Sequence, residues 1–145
     1  LRYLHSMSKI LALDFGLKRT GIAITDDSNT IAFGLDTVAS ELLMTKLNEI
    51  VPKENVKIIV LGLPKRLNNE DSHITENVKM LAEVIRQNFL SLEVILLDER
   101  FTSKMALQSM HFAGATKKQK KQKEIVDKVS ATIILQSYLS SIEMR

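Results

Sequence analysis

Apolar and polar residues along the chain follow two periods, and the order of the resulting segments predicts the fold. Residues 9–15, 22–25 and 30–38 are mostly apolar and are separated by short turns, which is typical of three strands in an antiparallel meander. Residues 56–63 and 92–97 are almost wholly apolar, as strands buried on both faces are. Five strands are therefore predicted.

Helical spacing of apolar residues follows the meander and recurs to the end of the chain. We predict a first helix over 40–51, with Ser40 as its N-cap and Pro52 as its stop. A lysine-rich loop is predicted after Gly114. Further helices are predicted over residues 72–89, 102–111 and 123–142.

The order of these elements, β-β-β-α-β-α-β-α-α, predicts an α/β domain with a mixed five-stranded sheet. A three-stranded antiparallel meander and two parallel strands form the sheet, and helices cover both faces. The first and fourth strands are expected to be parallel neighbours. This succession matches the ribonuclease H-like fold. A single domain over residues 1–145 is expected, in which residues 1–6 are an extension or a disordered segment.

Composition narrows the range of functions. The chain has no cysteine, and its three histidines, His5, His73 and His111, lack zinc-ligand spacing, so a zinc enzyme is not expected. No segment approaches the roughly 18 apolar residues of a membrane span. A phosphotransferase of the actin type also begins with an Asp-x-Gly strand, but it needs a second domain that 145 residues cannot supply.

Positive charge is concentrated just before the last predicted helix. The formal net charge is only +3, yet five residues between 117 and 123 are lysines: Lys117, Lys118, Lys120, Lys121 and Lys123. Such a run is by default a solvated surface segment, but its place beside Asp127 favours nucleic-acid binding. Because aromatic content is 5% and Trp is absent, contacts to phosphates are expected rather than base stacking.

Acidic residues stand where the predicted elements end or begin. Asp14 ends the first strand, and Asp98 and Glu99 end the fifth. Asp127 opens the last helix. Ligands of open α/β sheets gather at strand carboxyl ends, so these acids are expected to converge. Converging carboxylates repel one another unless a cation such as Mg²⁺ or Mn²⁺ lies between them.

The residue pattern alone does not decide which acid joins Asp14 or what the neighbouring basic residues do. Because neighbouring strand residues face opposite sides, only one of Asp98 and Glu99 can join Asp14. Lys18 and Arg19, in a turn predicted over 16–21, either hold a nucleic-acid backbone or form a solvated turn. Arg100 is likewise either a phosphate contact or a structural ion-pair partner.

Four stretches of the chain together resemble one known family. They are residues 13–24 (LDFGLKRTGIAI), 62–64 (GLP), 98–103 (DERFTS) and 126–135 (VDKVSATIIL). In this order they are similar to the YqgF-type family, whose members are named as pre-16S rRNA nucleases and as Holliday-junction resolvases. That family is ribonuclease H-like, and the resemblance implies a cytoplasmic, metal-dependent nuclease.

The resemblance also assigns an acidic triad, position by position. It points to Asp14, Glu99 and Asp127 as catalytic and metal-binding residues, holding two Mg²⁺ or Mn²⁺ ions about 3.5–4 Å apart. The expected reaction is phosphodiester hydrolysis in 5′-end processing of pre-16S rRNA. The alternatives are cleavage of Holliday junctions, or non-catalytic nucleic-acid binding in transcription or ribosome maturation.

One departure from the family pattern lies in the loop after the fourth strand. Asn68 and Asn69 stand where the family usually has an Asp-Gly pair. Asparagine tolerates the left-handed conformation that such a turn needs, and the acidic triad is not affected.

The expected partner is a nucleic acid, bound by a monomer or a weak homodimer.

Overall fold

The computed structural model describes the backbone of residues 8–64, 73–98 and 119–143, and the side chains of 8–64, 74–98 and 129–142. A 3-10 turn, Ser40–Leu42, precedes the first helix. The strands and helices of the described residues are β1 (Lys9–Phe15), β2 (Arg19–Thr25), β3 (Ala32–Ala39), α1 (Leu43–Lys53), β4 (Val56–Leu63), α2 (His73–Asn88), β5 (Glu93–Asp98) and α3 (Gln119–Glu143).

The five strands form one mixed sheet in the order β3-β2-β1-β4-β5. β1 and β2 are antiparallel, as are β2 and β3, whereas β1 pairs with β4 and β4 with β5 in parallel. The predicted meander and the predicted parallel neighbours are therefore confirmed. The carboxyl ends of β1, β4 and β5 consequently lie at the same edge of the sheet.

Alternation along the strands divides the core into two layers. Odd-numbered residues of β1, such as Leu11 and Leu13, pack under α1 and α2. Even-numbered residues, such as Ile10 and Ala12, pack under α3. Helix α3 crosses β1, β2 and β3 and reaches β4, and fully buried Ala131 lets it approach the sheet closely.

Helix α1 differs from its prediction at both ends. Ser40 is not its N-cap: Leu42 occupies that position, and no side-chain hydrogen bond caps the helix. Pro52 does not stop α1 but lies inside its last turn, one residue before the helix ends at Lys53. The chain leaves the helix at Asn55, whose φ of 52° lies in the left-handed region that asparagine tolerates.

Helix α3 begins earlier than predicted, at Gln119 instead of residue 123. Lys120 and Lys121 are therefore helical, and their assignment to a loop was wrong, whereas Lys123 is helical as predicted. Lysine and glutamine are good helix formers, and no Gly or Pro interrupts the chain after Gly114. Lys117, Lys118 and the helix predicted over 102–111 lie outside the described residues.

The end of the sheet opposite to Asp14 is tied together by an ion pair at the start of β1. The Lys9 ammonium lies 2.8 Å from Glu54 Oε1 and 3.5 Å from Asp27 Oδ1. The hydrogen bond between Lys9 and Glu54 lowers the pKa of the Glu54 carboxyl and raises the pKa of the Lys9 ammonium. The contribution of the pair to stability is therefore lost when pH falls through the folded pKa of Glu54 or rises through that of Lys9.

Within the part of the chain that the structure describes, no helix combines the length and apolar character needed to cross a bilayer.

Candidate functional site

Asp14 is the last residue but one of β1 and lies at the carboxyl edge of the sheet. It is half-buried, and by alternation it shares the face of Ile10 and Ala12, which is the face covered by α3. Pairing on both sides of β1 holds its backbone in place. The predicted position at a strand end is therefore confirmed.

Glycine flanks Asp14 on both neighbouring strands. Gly21 of β2 is its direct partner in the antiparallel pair. On the other side Leu13 is level with Leu61, so Gly62 of β4 lies next to Asp14. Neither neighbour carries a side chain over the carboxylate, which leaves room at this point of the sheet surface. An oxygen donor with open space around it suits a hard cation that keeps part of its water shell.

The end of β5 determines which side of the sheet each acid faces. Val94 and Leu96 pack in the layer of α1 and α2, whereas Ile95 and Leu97 pack in the layer of α3. By alternation Asp98 belongs to the α1 and α2 side, opposite to Asp14. Asp98 is thus not on the face that carries Asp14, and Glu99 and Arg100 lie outside the described residues.

Helix α3 presents the apolar face that the sequence predicts. Ala131, Ile134 and Tyr138 are all buried against the sheet, and Ser130 is half-buried. Asp127 was expected to open the helix. It instead lies about two turns after the start of the helix at Gln119. The favourable effect of a helix N-terminus on acids does not extend that far, so it does not account for Asp127.

The convergence of the triad stays a prediction. Among the side chains that the structure describes, no group of three or more His, Cys, Asp or Glu could hold a metal ion. Glu99 and the side chain of Asp127 are both outside that set. Of the three proposed ligands, the structure positions the side chain of Asp14.

The turn that joins β1 to β2, residues 16–18, lies directly beside Asp14 and is named here the β1–β2 turn. It is shorter than predicted, because β2 already begins at Arg19. Its ends meet through a hydrogen bond from Gly16 N to Arg19 O at 2.9 Å. Lys18 is exposed in the turn, as predicted, whereas Arg19 is a half-buried strand residue.

Ser40 holds this turn, a role that the sequence pattern did not show. Its Oγ donates to Gly16 O at 2.5 Å and lies 2.8 Å from Thr20 Oγ1. Its backbone N–H donates to Lys18 O at 2.9 Å. Ser40 precedes a helical pattern and therefore resembles an N-cap, and nothing in local spacing identifies partners 20 or more residues earlier in the chain.

Gly16→Ala is expected to destabilise the protein by about 1–3 kcal/mol, because the new methyl group overpacks the turn. A Cβ at this position would lie 2.7 Å from the carbonyl oxygen of Arg19, which is fixed backbone. Urea unfolding measures the loss. Gly34→Ala, on the exposed face of edge strand β3, is the matched control, and equal stability of the two variants would contradict the steric account.

Strand order, the acid at the end of a central strand and the helix across its face define a ribonuclease H-like α/β protein. RuvC of Thermus thermophilus, in a structure described as a complex with Holliday junction substrate, has the same fold. Its TM-score is 0.54 at 10% identity, covering 88% of this chain and 91% of that one. The chain belongs to the family described as "RuvX: Holliday junction resolvase", whose model matches residues 8–141.

Bacterial relatives match over nearly their whole length. A protein of Flavobacterium psychrophilum is 46% identical over 134 residues, which is 92% of this chain and 98% of the relative. A protein of Bacteroides thetaiotaomicron is 46% identical over 135 residues, with 93% and 98% covered. Both carry the name "Putative pre-16S rRNA nuclease".

Proposed function

We propose that this chain is a metal-dependent nuclease that hydrolyses phosphodiester bonds during 5′-end processing of pre-16S rRNA in the cytoplasm. One observation carries the proposal: Asp14 stands at the carboxyl edge of the sheet, on the α3 face, between two glycines. The names of the relatives favour rRNA as the substrate.

The proposed metal ligands are Asp14, Glu99 and Asp127. β1 and β5 are separated only by β4, so their ends lie two strand spacings apart, about 10 Å. Gly62 occupies the middle strand at the level of Asp14 and adds no side chain to this gap. Three carboxylates around it would supply the all-oxygen donor set that Mg²⁺ or Mn²⁺ prefers.

A bound divalent ion would lower the pKa of a water ligand and offset charge on the leaving oxygen. The chain's own residues supply the remaining functions. Asp14 keeps a donor oxygen in place through a strand that is paired on both sides. Lys18 and Arg19 adjoin Asp14, and with Arg100 and the lysines of residues 117–123 they are proposed to contact the substrate backbone.

Glu99→Gln is expected to abolish most cleavage, because it removes a proposed metal ligand. Asp98→Asn should leave the cleavage rate within about threefold of wild type, since the removal of one charge outside the site has little effect. The reason is the face assignment: Asp98 alternates with Leu97, which packs on the α3 side. Rates measured on one RNA substrate compare the two variants. The opposite ranking would transfer the ligand role to Asp98.

The proposal is tested by cleavage of matched substrates with and without Mn²⁺. One substrate is RNA carrying the 5′ end of the 16S precursor, and the other is a four-way DNA junction. Metal-dependent cleavage of the RNA supports rRNA processing. Binding of either substrate without any metal-dependent cleavage would instead identify a non-catalytic binding factor.

Holliday-junction resolution is the second candidate, because the matching family carries that description. Symmetric cleavage of two strands requires two copies of a site, related by a two-fold axis, whereas trimming of one RNA end requires a single copy. Junction cleavage by a dimer, with no cleavage of the RNA, would favour this second function.

A further inference from the structure

We infer that Ser40 is a positioning residue, which holds the β1–β2 turn so that Lys18 can contact a substrate phosphate. The inference rests on the proposed function, in which Lys18 binds the nucleic-acid backbone. Ser40 itself touches no reacting atom in this assignment. It acts through the turn, and the turn adjoins the end of the strand that carries Asp14.

The contacts of Ser40 reach three successive parts of the hairpin. Its hydroxyl bonds the carbonyl oxygen of Gly16 at 2.5 Å, and its amide bonds the carbonyl oxygen of Lys18 at 2.9 Å. Both ends of the turn are therefore fastened to one residue of the 3-10 turn. The Lys18 side chain is exposed to solvent, so the fastening constrains the backbone while leaving the ammonium free to move.

Thr20 extends the network into the core. Its hydroxyl lies 2.8 Å from that of Ser40, and the residue is fully buried. Removing the Ser40 hydroxyl would take away that hydrogen-bond partner from a buried polar group, which is more costly than losing an exposed contact. The preferred position of the turn is consequently determined by Ser40 and Thr20 together.

The Ser40 hydroxyl is not used for helix capping. Neither the 3-10 turn nor α1 has a side-chain capping hydrogen bond. The bonds to Gly16 and Thr20 span 24 and 20 residues of sequence. A hydroxyl that bonds a distant turn instead of its own helix is a tertiary contact, and it joins the 3-10 turn after β3 to the segment beside Asp14.

A double-mutant cycle tests this role. Ser40→Ala is expected to weaken binding of the 16S-precursor RNA about fivefold, the effect of losing one hydrogen bond, with kcat unchanged because strand pairing still holds Asp14. Lys18→Ala weakens binding by itself. If Ser40 acts through Lys18, Ser40→Ala adds no further loss in the Lys18→Ala background.

Two further variants control for structure and chemistry. Ser40→Thr keeps the hydroxyl and is expected to bind as wild type. Ser28→Ala removes a hydroxyl from the exposed turn between β2 and β3 and should change neither binding nor kcat. All variants are compared well below their unfolding temperatures, so that differences in stability do not alter the folded fraction.

The possible failures are distinguishable. Wild-type protein that binds neither the RNA nor the junction would remove the proposed function, and this inference with it. Wild-type binding together with undiminished binding by Ser40→Ala would remove the inference alone. Fully multiplicative losses for Ser40→Ala and Lys18→Ala, or failure of Ser40→Thr to restore affinity, would also overturn it, because they indicate a general structural role.

Discussion

Asp14→Asn is expected to lower the cleavage rate about a thousandfold, the loss of several kcal/mol of electrostatic stabilisation, while RNA affinity stays near that of wild type. The substitution keeps the size of the side chain but removes the negative charge that a divalent cation needs. The backbone of β1 is held by pairing to β2 and β4, so the fold should be unaffected.

Two measurements check this result. Single-turnover rates in Mn²⁺ report the loss of chemistry, and calorimetric titration with Mn²⁺ alone reports the loss of metal affinity without any substrate. Asp27→Asn is the matched control, since its carboxylate is 82% exposed at the opposite end of the sheet. Equal cleavage by Asp14→Asn and wild type, in preparations free of contaminating nuclease, would disprove the assignment.

Replacing five lysines with glutamine is expected to weaken nucleic-acid binding by about tenfold to a hundredfold at low salt. The positions are Lys117, Lys118, Lys120, Lys121 and Lys123. Each phosphate contact that is lost should flatten the plot of log affinity against log salt, by about 0.9 per contact on duplex and 0.7 on single strands. Glutamine keeps helix propensity close to that of lysine, so α3 should persist.

The control for this variant removes three lysine charges elsewhere. Lys53, Lys57 and Lys79 are exposed residues of α1, β4 and α2, and none of them belongs to the lysine segment or to α3. Their replacement by glutamine should leave the salt dependence close to that of wild type. An unchanged slope after the five substitutions of residues 117–123 would rule out that segment as a contact with nucleic acid.

The strands could be predicted because the sheet is covered on both faces. Residues such as Leu11 and Ala12 are buried in opposite layers, so β1 reads as an unbroken apolar segment. The apolar face of α2 was equally visible, since Val78 and Ile85 recur at helical spacing and are fully buried. Burial of this kind produces a pattern of apolar residues that can be recognised in the sequence.

The first turns of α3 show no such pattern of apolar residues. Residues 119–124 are glutamine, lysine and glutamate, and they contain no apolar residue whose spacing could indicate a helix. Their helical state follows from intrinsic propensity and from continuity with the packed part of the helix around Ala131 and Ile134. A polar run before a predicted helix was therefore misread as a loop.

The sequence by itself determined the order of the strands and helices that the structure describes, the covering of both sheet faces by helices and the position of Asp14 at a strand end. These features follow from periodic apolar residues, whose preference for burial acts locally along the chain. Only the tertiary structure decided that Gly21 and Gly62 flank Asp14, that Asp98 faces the other side of the sheet, and that Ser40 holds the β1–β2 turn. Those facts depend on strand register and on hydrogen bonds between residues distant in sequence, and neither is encoded in local spacing.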